Sequence, residues 1–162
     1  MNAWWDEVWQ TAQGEFSDIS DASQLTRVII RLTVAITLGG LLGYEREVSG
    51  RSAGLRTHML VALGAALFVL VPLEAGISTN DLSRVLQGVI AGIGFLGAGA
   101  IIKLSQAEEI KGLTTAASVW LTAAIGIAAG MGREATAVLS TLLALFILAV
   151  LRRVVRIEQE KD

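Results

Sequence analysis

The chain has 162 residues, of which 53% are hydrophobic and 17% charged, and its mean hydropathy is +0.61. A water-soluble domain of this length needs more surface charge, so the composition predicts apolar faces that contact lipid. The formal net charge of −2 gives no indication of a nucleic-acid partner. The absence of cysteine excludes disulfides, thiol catalysis and thiolate metal sites.

Residues 1–24 are predicted to form an arm at the outer membrane surface. Large apolar side chains and one alanine recur there at helical spacing: Trp5, Val8, Trp9 and Ala12. Indole rings favour the headgroup level of a bilayer, which is typical of an interfacial helix. Asp21 and Gln24 have the spacing of a capping box and predict a helix start directly before the first apolar stretch.

Five apolar stretches follow, separated by charged residues: Val28–Tyr44, Met59–Leu73, Val85–Ile102, Gly112–Gly132 and Ala135–Leu151. Each approaches the roughly 20 residues that a helix needs to cross a bilayer. The sequence therefore predicts an all-α, polytopic membrane protein, a compact bundle of about five transmembrane helices over residues 25–151 with a short tail at 152–162. The glycines of the fourth stretch predict a broken or tilted helix.

The distribution of basic residues predicts the orientation. Five spans place nine of the 13 basic residues on one side: Arg46, Arg51, Arg56, Lys103, Lys111, Arg152, Arg153, Arg156 and Lys161. Basic loops stay on the cytoplasmic side of a membrane. We therefore expect the N-terminus outside, the C-terminus in the cytoplasm, and a location in the bacterial inner membrane.

A glycine-rich segment in the third span invites two interpretations. Its spacing, Gly92-Ile-Gly94-Phe-Leu-Gly97-Ala-Gly99, matches a dinucleotide fingerprint, but that fingerprint needs a preceding strand. An unpaired strand is not viable inside a bilayer, so helix packing is favoured. The predicted packing residues are Gly88, Gly92, Gly94, Gly97 and Gly99. The pairs Gly39–Gly43 and Gly126–Gly130 have the same spacing. The third span is accordingly predicted to be the central helix.

Charged residues at the outer ends of the spans suggest an outer polar pair. Arg31 lies about one turn inside the first span, where an unpaired charge is costly. Its side chain either extends to the membrane surface or pairs with a carboxylate of another outer loop, for which Asp81 is the best candidate. Asp81 and Arg84 are also spaced to pair with each other at the start of the third span.

The segment 45–58 has the highest density of polar residues in the chain. It mixes both signs of charge with two glycines and the only histidine, His58, which is unlike a simple cationic membrane anchor. We expect Glu45 to pair with Arg46 or with Arg56. Thr57 and His58 complete the predicted cluster on this segment.

The fourth span adds hydroxyl groups at the same side of the membrane. Thr114, Ser118 and Thr122 form a stripe, and Thr115 lies beside it. Such hydroxyls either bond to helix carbonyls or line a polar site, so Thr114, Thr115 and Ser118 are included in the predicted binding cluster. No carboxylate lies inside a span. We therefore predict no metal site, no cofactor and no transport pathway within one chain.

Three segments resemble the MgtC/SapB family of bacterial inner-membrane proteins: GYEREVSGRSAGLRTHMLVALGAALF (43–68), DLSRVLQGVIAGIGFLGAGAII (81–102) and KGLTTAASVW (111–120). The similarity covers about residues 25–133. It implies a helical membrane domain of about five spans, and it implies functional positions at Glu45, Arg46, Arg56, Thr57, Asp81, Arg84, the glycines 92–99, Thr114 and Thr115.

The same resemblance implies a link with magnesium limitation and, in some pathogens, with survival in host cells and restraint of the ATP synthase. Virulence-associated members have a further soluble C-terminal domain, which this chain is expected to lack. We expect a non-enzymatic regulatory or partner-binding membrane protein, with the bilayer, a second copy or another membrane protein as its partners. The alternative is an ion or small-solute transporter that acts as an oligomer.

Overall fold

The computed structural model describes residues 3–17, 19, 21–102 and 112–159, and the regular elements in that part of the chain are all α-helices. In chain order they are α1 (Ala3–Glu15), α2 (Ala22–Val48), α3 (Leu55–Glu74), α4 (Thr79–Ile102), α5 (Leu113–Gly130) and α6 (Glu134–Gln159). The chain packs as two units, Met1–Ile30 and Arg31–Asp162. The predicted all-α class is confirmed.

The first unit contains α1 and the beginning of α2. The rings of Trp4 and Trp5 in α1 meet edge to face, with centroids 4.4 Å apart. The carboxylate of Asp21 accepts hydrogen bonds from the backbone N–H of Gln24 at 2.7 Å and from the Ser23 hydroxyl at 2.8 Å. These two bonds, the backbone one first, lower the pKa of Asp21 below its ordinary value. The predicted Asp21 cap of the helix start is confirmed; the interfacial location of the arm stays a prediction.

Four helices of the described part are long and apolar enough to cross a bilayer, over Ala22–Val48, Leu55–Glu74, Asn80–Ile101 and Leu113–Gly130. In α6 the apolar stretch is shorter, Glu134–Ala149. The protein is therefore a polytopic helical membrane protein. The fifth span and the orientation across the membrane stay predictions.

The core of the second unit is formed by residues of α2, α3, α5 and α6, most of them alanines. Its fully or nearly fully buried members include Ala35, Leu42, Ala62, Ala66, Ile125, Ala129, Ala137 and Ala144. A Cβ placed on Gly126 or Gly130 would lie 2.9 Å from the Cα of Ala62 or Ala66, respectively. Small residues thus allow α5 to approach the backbone of α3 closely, as the Gly126–Gly130 spacing predicts.

Gly39 and Gly43 likewise allow α2 to approach the backbone of α3 closely. A Cβ on Gly39 would lie 2.7 Å from the His58 carbonyl oxygen, and one on Gly43 would lie 2.7 Å from the Leu55 Cα. This contact fixes the end of α2 against the beginning of α3. The residues on either side of the 49–54 loop are therefore held at a short, defined distance.

The central helix is α5 and not α4, so the predicted central position of the third span is wrong. Half of the apolar stretch of α5 is buried (50%), against 6% of that of α4. Helix α5 contacts α3, α4 and α6, and it is continuous from Leu113 to Gly130 rather than broken. Its glycines do not weaken it because close packing against α3 replaces the contacts that larger side chains would make.

The glycines of α4 do not pack within the chain as predicted. A Cβ on Gly88, Gly92, Gly94 or Gly99 would meet no atom of the protein within 4 Å. Gly97 differs, because its Cβ would lie 3.6 Å from the Ala116 side chain of α5. The glycine spacing was a correct indicator of helix contacts in α2 and α5. In α4 it marks a face that the described residues of the same unit leave uncovered.

Candidate functional site

Glu45 and Arg46 form an ion pair at the end of α2. Both Nε and Nη2 of Arg46 donate to one carboxylate oxygen of Glu45, and the Ser49 hydroxyl donates to the other at 2.8 Å. The Arg46 residue is 1% exposed, and among the described residues it has the largest fully buried side chain. Of the two partners predicted for Glu45, the structure selects Arg46. Arg56 is exposed on α3 and makes no ion pair among the described residues.

The guanidinium of Arg46 is incompletely satisfied. Its Nη1 atom is buried and has no hydrogen-bond partner in the described part of the chain. A buried charge is costly unless it is paired and hydrogen-bonded, so the contact with Glu45 is essential for keeping Arg46 inside the protein.

His58 lies beside this pair and is completely buried. Its Nδ1 is 2.9 Å from the carbonyl oxygen of Gly54, which can only accept, so Nδ1 donates in this contact. Its Nε2 lies 3.2 Å from the hydroxyl of Ser118 on α5. The predicted cluster members His58 and Ser118 are thus brought together, and they link α3 to the central helix.

The hydroxyl stripe of α5 is mostly internal. Ser118 lies 2.8 Å from the carbonyl oxygen of Thr115, and the Thr122 hydroxyl donates to the Ser118 carbonyl at 2.8 Å. Thr115 is buried, whereas Thr114 is exposed and lines a cavity of about 150 Å³ with Ser118 and Leu42. The bonds to helix carbonyls support the first of the two interpretations of the stripe.

A residue that the sequence did not single out organises the loop between α2 and α3. The carboxylate of Glu47 accepts the backbone N–H of Leu55, the first residue of α3, at 2.8 Å. Helix N-termini are usually capped by the residue just before them, which here is Gly54 and has no side chain. Because the cap comes from eight residues upstream, no local spacing rule could have revealed it.

The loop is held at further points while its charged side chains remain outside. Ser49 bonds to Glu45, and the backbone N–H of Arg51 donates to the Arg46 carbonyl at 3.0 Å. Arg51 and Arg56 are exposed. Thr57, also predicted for the site, is exposed beside Arg56. We call the exposed side chains of Arg51, Ser52, Arg56 and Thr57 the loop surface.

The outer ion pair in the structure is not the predicted one. Arg31 pairs with Glu74 at the end of α3, at 3.8 Å, and donates to the carbonyl of Gly130 at 3.3 Å. Asp81 instead takes part in the cap of α4: its backbone N–H donates to the Ser78 hydroxyl at 3.3 Å, and one of its carboxylate oxygens accepts that hydroxyl at 2.7 Å. Asp81 is thus engaged locally, whereas Glu74 lies at a helix end that meets Arg31.

The guanidinium of Arg31 also covers the turn after α5. Gly132 has φ = +72°, and its N–H and that of Arg133 bond back to α5 carbonyls, which is the usual glycine ending of a helix. A Cβ on Gly132 would lie 2.6 Å from Nη2 of Arg31. Arg84 is exposed and has no ion pair among the described residues, so its predicted pairing with Asp81 is absent there.

The predicted cytoplasmic segment Lys103–Lys111 lies outside the described residues, as do the side chains of the tail from residue 150 onward. Within the described residues no group of three or more His, Asp or Glu side chains could hold a metal ion. The site that the structure does define is a buried ionic and hydrogen-bonded cluster of Glu45, Arg46, His58 and Ser118 beneath the loop surface.

Its helices, together with the charged cluster at one end of the spans, place this chain in the class of small polytopic membrane proteins. The model of the MgtC family matches residues 32–157, and the chain belongs to this family. That match includes every residue of the buried cluster and of the loop surface.

Named relatives agree with this assignment. Protein SrpB of Synechococcus elongatus is 45% identical over 138 residues, which cover 78% of this chain and 76% of SrpB. Protein MgtC of Brucella abortus is 43% identical over 128 residues, 78% of this chain and 52% of that protein. YhiD of Escherichia coli K12, whose name describes a proposed magnesium transporter, is 41% identical over 129 residues, 75% of this chain and 59% of YhiD.

The chain thus spans about three quarters of SrpB and between half and three fifths of MgtC and YhiD. No solved structure matches the chain.

Proposed function

We propose that this protein is a non-enzymatic regulatory membrane protein that binds a protein partner through its loop surface and is linked to magnesium homeostasis. Its location would be the bacterial inner membrane, with the loop surface in the cytoplasm. The magnesium link is supported by the name of the YhiD relative and by membership of the MgtC family.

One observation supports the binding function above the others: hydrogen bonds fix the loop between α2 and α3, while Arg51 in the loop and Arg56 beside it have no ion pair among the described residues. Backbone and side-chain hydrogen bonds fix it at Ser49, Arg51, Gly54 and Leu55. Fixing these residues in advance lowers the entropy that a partner would otherwise lose on binding. A positively charged surface of this kind suits an acidic protein segment.

The composition of the buried polar groups argues against a magnesium pathway within one chain. The buried polar side chains of the described residues are one arginine, one histidine, one serine and three threonines, and the largely buried carboxylate beside them, that of Glu45, is already used by Arg46 and Ser49. Magnesium prefers oxygen ligands and is usually held by carboxylates. Transport by an oligomer is the second candidate, and the observation that favours it is the name of YhiD.

The test uses the double variant Arg51→Gln/Arg56→Gln in a host that lacks its own copy and grows in limiting magnesium. We expect loss of growth support and loss of co-purifying protein from mild detergent, with unchanged melting because both side chains are exposed. The matched control is Arg27→Gln/Arg133→Gln, which removes two exposed arginines away from the loop. Full growth support by the loop variant would contradict the proposal.

The transport alternative is tested on the same protein reconstituted in vesicles that contain a magnesium-sensitive dye. Magnesium entry above that of protein-free vesicles, with the Arg51→Gln/Arg56→Gln variant as active as the wild type, would replace the binding function by transport. No entry, together with loss of growth support in the variant, is the result expected for a regulatory protein.

A further inference from the structure

One face of α4 combines glycines and charges that have no ion pair among the described residues, and the described part of its own unit leaves that face uncovered. Asp81, Arg84, Gly88, Gly92 and Gly99 lie within about 80° of one another on a helix of 3.6 residues per turn. All five are exposed. From Asp81 to Gly99 the face is about 27 Å long, close to the thickness of the hydrocarbon core of a bilayer.

The glycines of this face have the geometry of a helix contact without the second helix. Within the residues that the structure describes, no atom lies within 4 Å of a Cβ placed on Gly88, Gly92 or Gly99. Beside them, between α3 and α4, is an apolar groove of about 610 Å³ whose wall includes Gly64, Gly88 and Gly92. Elsewhere in this chain the same spacing, at Gly126 and Gly130, brings two backbones into contact.

The acidic and the basic residue at the beginning of this face are complementary to the same two residues of a second copy. Asp81 uses one carboxylate oxygen for the Ser78 hydroxyl, and its other oxygen and the whole Arg84 guanidinium have no partner among the described residues. A surface that presents one acid and one base about 4.5 Å apart along the helix can pair with a copy of itself. Lipid chains offer no such complement.

We propose that α4 is the interface of a parallel dimer formed by two copies of this chain. Both copies insert in the same orientation, so the two-fold axis is normal to the membrane and each α4 meets the same face of the other. Gly88, Gly92 and Gly99 then allow the helix backbones to approach closely. Asp81 of each copy pairs with Arg84 of the other, which gives two ion pairs.

The largest exposed apolar side chain of α4 fits this arrangement. Phe95 is 79% exposed and lies three residues after Gly92, about 60° away on the same side of the helix. Across a two-fold axis it would lie beside the space that Gly92 leaves in the other copy, so that a large side chain faces a small one. Such alternation of large and small residues is how packed helices interdigitate.

The decisive experiment is charge exchange between two differently tagged full-length copies expressed together. Asp81→Arg alone gives a face with two positive charges, and Arg84→Asp alone gives one with two negative charges, so each variant should lose self-association. A mixture of one Asp81→Arg copy with one Arg84→Asp copy should co-purify again from mild detergent. Weakening of the α4 cap by Asp81→Arg persists in the mixture, so it cannot produce this rescue.

Substitutions of the glycines provide an independent measurement. Gly88→Leu and Gly92→Leu should abolish co-purification, while in a detergent excess that keeps the chains apart each variant should still unfold cooperatively near the wild-type temperature, since the added Cβ meets no described atom of its own copy. Gly94→Leu is the matched control, because Gly94 is equally open but lies about 160° from Gly92 around the helix. Wild-type copies that fail to co-purify, single charge variants that still self-associate, or a mixture without rescue would each overturn the proposal.

Discussion

The imidazole of His58 and the hydroxyl of Ser118, 60 residues apart in the chain, lie 3.2 Å from each other and join α3 to the central helix α5. Ser118→Ala should therefore lower stability, because it leaves a buried ring nitrogen without a partner. The cost of such a buried unpaired group is about 1–3 kcal/mol. Thermal unfolding in detergent measures it.

The control for this prediction is Thr114→Ala, one turn earlier on α5 at an exposed position. It should change stability by less than about 0.5 kcal/mol. Equal melting temperatures for the two variants would show that the His58–Ser118 contact does not stabilise the protein.

The Glu45–Arg46 pair predicts a non-additive double-mutant cycle. Glu45→Leu leaves the buried Arg46 guanidinium without its carboxylate, and breaking a buried pair from one side costs about 3–5 kcal/mol. Glu45→Leu/Arg46→Met removes both charges and should be more stable than Glu45→Leu alone.

Arg56→Gln is the comparison for this cycle, since Arg56 is exposed and should contribute less than about 1 kcal/mol. Melting temperatures of the wild type, Glu45→Leu, Arg46→Met and Glu45→Leu/Arg46→Met complete the cycle. If the double variant is as unstable as the sum of its singles, Glu45 and Arg46 do not act as a pair.

The glycines of α4 and α5 should respond oppositely to the same substitution. Gly126→Ala places a Cβ 2.9 Å from the Cα of Ala62, and overpacking of this kind costs about 1–3 kcal/mol. Gly92→Ala meets no atom of the chain and should leave the unfolding of a single copy unchanged or slightly improved. Unfolding in a detergent excess that keeps the chains separate checks both, and a large loss of stability for Gly92→Ala would contradict the uncovered face.

These contrasts show how far the sequence predicts the structure. The spacing of the charged residues correctly indicated the first four apolar helices. Arg46 was one of the two partners predicted for Glu45. Both features depend on residues that are close in the chain. The central position of α5 could not be obtained in this way. The spacing of Gly88 and Gly92 is the same as that of Gly126 and Gly130, and only the tertiary arrangement decides which pair is covered.

Two site contacts were missed for the same reason. The cap of α3 by Glu47 and the ion pair of Arg31 with Glu74 join residues whose separation follows no helical or loop rule. Asp81 was assigned to Arg31 because it lies on the expected side of the membrane. Its spacing to Ser78, which matches a capping box, was the available local signal for its actual role.

The Asp21 cap predicts a pH dependence at the start of α2. The N–H of Gln24 and the hydroxyl of Ser23 lower the pKa of Asp21 below 3.8, so the cap stabilises the helix start fully above about pH 4. This stabilisation should be lost as the pH falls through the lowered pKa of the folded state. A carbon-13 titration of the Asp21 carboxyl in micelles should have its midpoint below the ordinary value, and Ser23→Ala should raise it. A midpoint that Ser23→Ala leaves unchanged would contradict the hydroxyl contribution.

The orientation across the membrane can be tested directly because the chain has no cysteine of its own. We expect a cysteine at the exposed Gln13 to react with an impermeant maleimide in intact cells, and one at the exposed Ser52 to react only after permeabilisation. The excess of basic residues on the side of Ser52 is the physical reason, since such loops remain in the cytoplasm. Labelling of both cysteines in permeabilised cells is the control for their accessibility. Labelling of Ser52→Cys in intact cells would place the loop surface outside, and a cytoplasmic partner for it would then be excluded.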